Sequence, residues 1–134
     1  MAQILVAEDK AALRGHILRA LAADGHDAVA VNDGGEALDA LLAEKGRFDL
    51  LLADIKMPVM DGIALALAAA REDPALAILL MTGFADQRER ASGLDALIQG
   101  LLTKPFSVAD LHREIAAAMA TKGRGRLNRP TEIP

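Results

Sequence analysis

Short apolar runs recur five times along this chain, and helical or polar segments separate them. Gln3–Ala7 precedes Leu13, Ile17, Ala20 and Leu21 at helical spacing, and Ala28–Val31 precedes Ala37, Leu38, Leu41 and Leu42. Leu50–Ala53 leads to Ile63, Ala66, Leu67 and Ala70, and Ala77–Met81 leads to the polar segment Asp86–Ser92. Leu101–Thr103 comes last, before Val108, Leu111, Ile115 and Met119. Runs without polar alternation read as strands covered on both faces. Five βα units in succession predict an α/β fold with an open, doubly wound parallel sheet and right-handed crossovers. The runs are rich in Leu and Ala, so propensity alone favours helix at several of them; their brevity and flanking turns decide for strand.

Punctuation sets the boundaries. Asp33 with Glu36, and Ser107 with Asp110, have capping-box spacing ahead of the second and last helices. Gly25 lies just past the first helix, and Pro74 stops the third. A chain of 134 residues suits one domain and needs no covalent staple. With no cysteine, it has no disulfide framework, thiolate metal site or thiol nucleophile. A net charge of −4 and only three aromatics (Phe48, Phe84 and Phe106) argue against a nucleic-acid partner. No apolar run approaches the roughly 18 residues of a membrane span, and no basic flank opens a secretory leader. The expected setting is cytoplasmic, without a membrane partner. The periodicity ends near Thr121, so residues 1–121 form the expected domain and 122–134 a flexible basic tail. That tail is too short to be a DNA-binding domain.

In open parallel sheets, ligands bind at the carboxyl ends of the strands. The first strand ends in Glu8-Asp9, the third in Asp54, the fourth in Thr82 and the fifth in Lys104-Pro105-Phe106. Each has an ordinary structural role available: Asp9 or Thr82 as a helix cap, Asp54 as a turn residue, Lys104 as a solvated strand end. Their coincidence at four strand ends argues for a site. Clustered carboxylates repel by about 1–4 kcal/mol per pair, so they require a compensating cation: Lys104, a metal ion, or both. An all-oxygen, few-carboxylate site suits Mg²⁺ better than Ca²⁺.

Glu8-Asp9, the stretch Asp54–Gly62, Thr82-Gly83 and Lys104-Pro-Phe106 together resemble the receiver domain of bacterial two-component response regulators, over roughly residues 2–120. The resemblance implies a flavodoxin-like (βα)5 sheet of strand order 2-1-3-4-5. It also implies that Asp54 accepts a phosphoryl group from a phosphohistidine, supplied by a histidine kinase or histidine phosphotransfer protein. Thr82 and Lys104 then contact phosphoryl oxygens. Mg²⁺ is held by Asp9, Asp54 and the Lys56 carbonyl, with Glu8 acting partly through water. Pro105 is expected to follow a cis peptide bond, and Gly83 to leave room for the phosphoryl group. The segment Met81–Ile98 is similar to single-domain cell-cycle regulators of this family, which implies an output protein partner, the ClpXP protease, primed by the unphosphorylated form. The alternatives are a phosphate shuttle or sink without output, and an aspartyl-phosphate hydrolase. A hydrolase wants a second Asp where this chain has Lys56, so no turnover enzyme is expected.

Several positions depart from the family pattern. Glu8 replaces a frequent Asp, Leu101 stands where many receivers carry a Tyr or Phe, and Leu97-Ile98 replaces Gly-Ala. The last two cast doubt on the usual output route, and the signal is expected to pass through Phe84–Gly93. Phe84 cannot orient water, so slow loss of phosphate is expected. His16, His26 and His112 are far apart in sequence, Gly34-Gly35 belongs to no nucleotide motif, and the third helix is core packing with Leu65 outward as a docking candidate.

Overall fold

A computed structural model describes residues 2–83 and 90–122. Five strands form one parallel sheet: β1 (Gln3–Ala7), β2 (Asp27–Val31), β3 (Leu50–Asp54), β4 (Ala77–Thr82) and β5 (Gly100–Thr103). Their order is β2-β1-β3-β4-β5. Four helices are described: α1 (Ala11–Ala23), α2 (Gly34–Ala43), α3 (Gly62–Glu72) and α4 (Val108–Lys122). A 3₁₀ turn, Ser92–Leu94, precedes β5. The rest of the expected fourth helical segment, at positions 84–89, and the tail beyond Lys122 lie outside the described residues.

The period-2 alternation of each strand divides the core into two layers. Leu5, Leu51, Ala53, Ile78 and Leu80 pack with Ala37 and Leu41 of α2 and Leu65, Ala66 and Ala69 of α3. Ile4, Val6, Leu50, Leu52, Leu79 and Met81 pack with Ile17 and Leu21 of α1 and Leu111 and Ile115 of α4. β3 and β4 are wholly buried, as their unbroken apolar runs predict. β2 corrects the same expectation: as an edge strand it is only partly covered, and Val29 is exposed. Leu65 is a second correction. It is fully buried, and Leu67 is the exposed leucine of α3.

Both expected caps form. Glu36 N–H donates to Asp33 Oδ1 at 2.8 Å, while the Glu36 carboxylate accepts from Asn32 N–H at 2.7 Å. Ser107 Oγ accepts from Asp110 N–H, and Asp110 accepts from Ser107 N–H. Asp61 caps α3 through Ala64 N–H and also meets Arg90 at 2.6 Å. No side chain caps α1 at Lys10. Two glycines draw the loop after β3 tightly into the fold. A Cβ on Gly62 would lie 2.3 Å from the Asp54 carbonyl oxygen, and one on Gly34 would lie 2.1 Å from that of Met60.

Candidate functional site

The parallel register brings the carboxyl ends of β1, β3, β4 and β5 to one edge. Ala7 pairs with Ala53, Asp54 with Met81, and Thr82 with Thr103, so Glu8, Asp54, Thr82 and Lys104 follow at neighbouring strand ends. Glu8, Asp54 and Thr82 are buried, and Asp9 is exposed. Lys104 reaches across the edge, with Nζ 2.5 Å from Asp54 Oδ2 and 3.7 Å from Glu8 Oε1. Asp54 Oδ1 accepts from Lys56 N–H at 3.3 Å. The Lys104–Pro105 bond is cis, as expected. Among the described residues, a Cβ on Gly83 would meet only Lys104 Cδ, 4.0 Å away.

Glu8, Asp9 and Asp54 each offer a carboxylate oxygen, and these atoms lie within 4.8 Å of one another. Among the described residues this is the only group of three or more histidines or acids close enough to share a metal ion. Burial pushes the Glu8 carboxyl up to about 7, and the nearby charge of Asp54 adds to the rise. The Lys10 amide and the Lys104 ammonium oppose it. Glu8 Oε1 is buried without a hydrogen-bond partner. An orphaned buried oxygen beside two further carboxylates is a donor set suited to a hard divalent cation, so these residues fit Mg²⁺.

The expected structural role for Asp9 as the α1 cap is not found. Instead Glu8 Oε2 accepts the Lys10 N–H at 3.0 Å. The histidines are not assembled into a cluster. His26 accepts from Ala2 N–H, and His112 Nε2 donates to the Ala20 carbonyl. His16 joins Leu13, Lys104, Pro105 and Phe106 around a cavity of about 250 Å³.

Arg14 escaped the sequence reading. Its Nη1 donates to the Glu8 carbonyl at 2.9 Å and approaches the Asp9 carbonyl at 3.4 Å. A signal was present: a cation near the start of a helix opposes the macrodipole, so it needs a compensating acceptor. The helix itself could not name that acceptor.

Comparison with known proteins agrees with this geometry. The family model described as the response regulator receiver domain matches residues 4–116. The response regulator receiver protein CpdR of Brucella abortus is 39% identical over 115 residues, covering 86% of this chain and 94% of that protein. The response regulator MprA of Mycobacterium avium is 33% identical over 117 residues, covering 87% of this chain; the chain spans 50% of its length. A receiver domain from Clostridium thermocellum shares the fold with a TM-score of 0.84 at 24% identity, covering 91% of this chain and 97% of the other.

Proposed function

The chain belongs to the receiver domain family of response regulators, and on that premise we propose that it takes a phosphoryl group from phosphohistidine onto Asp54 and thereby switches a protein–protein contact. The observation that carries this reading is the buried Asp54 carboxylate paired with Lys104 at the carboxyl edge of the sheet.

An Asp54 carboxylate oxygen attacks phosphorus, an O–P bond forms, and the N–P bond to the donor imidazole breaks with its electron pair leaving on nitrogen. Phosphoryl transfer asks the protein mainly for positioning and charge neutralisation. Lys104, already on the Asp54 carboxylate, neutralises a phosphoryl oxygen, and Thr82 donates a hydroxyl hydrogen bond to another. Gly83, with no side chain of its own, leaves room for the group beside Thr82. Glu8, Asp9, Asp54 and the Lys56 carbonyl would hold Mg²⁺, which would supply positive charge to offset that of the carboxylates and the incoming phosphoryl group. The donor is a histidine kinase or a histidine phosphotransfer protein.

The output proposed is priming of the ClpXP protease by the unphosphorylated form. Its support is the similarity to CpdR, a match that spans nearly all of that protein.

Intact mass after incubation with acetyl phosphate tests the acceptor. The wild type is expected to gain ~80 Da only when Mg²⁺ is present, and Asp54→Asn is expected to gain nothing. A full adduct on the variant places the chemistry on another residue. Capture of ClpX by Asp54→Asn but not by the beryllofluoride-treated wild type supports the output; equal capture by both rejects it.

A further inference from the structure

We propose that Arg14 is a positioning residue for the divalent cation, an inference that rests on the metal reading of Glu8, Asp9 and Asp54. The loop joining β1 to α1 carries two of the three carboxylates. Asp9 is exposed, and at the N-cap Lys10 no side chain caps α1. The Glu8 side is well anchored. Its N–H donates to the Val31 carbonyl at 3.2 Å, and its carboxylate faces Lys10 N–H and Lys104. Half-buried Arg14 adds a tie of its own: its guanidinium reaches back from α1 to both carbonyls of the Glu8-Asp9 pair.

A positioning role and a purely electrostatic one differ in the sign of their effect on cation binding. An extra cation close to a divalent-cation site lowers cation affinity by simple Coulomb repulsion. A cation near a helix start is also unfavourable to the helix itself. Against both effects, the Arg14 donor spans consecutive backbone carbonyls, and guanidinium geometry suits that task better than an ammonium. Groups that orient metal ligands without touching the metal characteristically change affinity tenfold or more when removed.

The two roles therefore predict opposite signs, and the sign decides. Isothermal titration of the full chain with Mg²⁺ is expected to give about tenfold weaker binding for Arg14→Met, with partial recovery in Arg14→Lys. In the Asp9→Ala background the same Arg14 substitution is expected to cause little further loss, because the residue acts through that loop. Tighter or unchanged binding in Arg14→Met overturns the role. So does full loss of affinity from Arg14 in the absence of Asp9. If Arg14→Met fails to fold, Arg14→Gln takes its place under the same criterion. Absence of Mg²⁺ binding by the wild type rejects the metal reading itself, and with it this inference; wild-type binding matched by the variant rejects Arg14 alone.

Discussion

Glu8 concentrates the electrostatic cost of the site in one buried side chain. Its carboxyl titrates near 7 in the folded, metal-free protein against 4.5 for the free group. A raised folded value means that folding favours the protonated acid. The associated stability is fully present below 4.5 and is lost as the pH rises through about 7. Metal-free protein is therefore expected to lose thermal stability between pH 5 and about 8, and Glu8→Gln to flatten that slope. Saturating Mg²⁺ reverses the dependence, since the ion binds the deprotonated acids. Melting curves across this range, with chelator and with Mg²⁺, check the sign; a metal-free wild type that gains stability relative to Glu8→Gln refutes it. Asp9→Ala should weaken Mg²⁺ binding while leaving metal-free stability equal or slightly higher, because it removes one carboxylate from the cluster without removing a cap. A large metal-free loss would identify Asp9 as structural.

At the scale of elements, the loop from Asp54 to α3 is held by close approach and bears strain. Val59 sits at φ +70° in a three-residue turn, with Met60 N–H donating to the Pro58 carbonyl at 2.7 Å. Positive φ is unfavourable for a β-branched residue, and this side chain is 83% exposed, so little burial offsets the strain. Val59→Gly is expected to raise stability by about 1 kcal/mol in denaturant titration. Gly62→Ala should do the reverse. Its Cβ would press on the Asp54 carbonyl oxygen, at an expected cost of about 3 kcal/mol together with slower acceptance of phosphate. A Gly62→Ala protein as stable as the wild type would show that the loop yields freely. The Asp61–Arg90 ion pair links the same loop to the chain ahead of β5, but both partners are partly solvated and such pairs contribute under about 1 kcal/mol.

Across the whole molecule, the open question is how the sheet edge communicates with a partner. Leu101 is half-buried and already packed against the α2–α3 side of the core, so an inward turn gains little further burial and no hydrogen bond. A two-state element needs a differential contact in each state. Hydrogen exchange on free and beryllofluoride-treated protein is therefore expected to change most in Phe84–Gly93, whose run Asp86-Gln-Arg-Glu-Arg90 is strongly polar. Changes confined to Leu101–Thr103 would reject this route. Much of the architecture was legible from the chain alone. Apolar runs bounded by turn residues are local signals, so the strands, the Asp33 and Ser107 caps, and the edge carrying Glu8, Asp54, Thr82 and Lys104 could be read directly. Other features depend on contacts between residues far apart in sequence. The helix Gly62–Glu72 is apolar nearly all round, so its pattern left the inward phase open, and packing buried Leu65 while exposing Leu67. The run in β2 looks like any other; the family resemblance, not its own pattern, placed it at an edge, as the pairing order shows. Lys104 was readable as a compensating cation, but its choice of Asp54, fifty residues away, was not, nor was Arg14 on the Glu8 carbonyl. Periodicity records which residues avoid water; their partners are chosen only when the sheet closes and the helices dock on it.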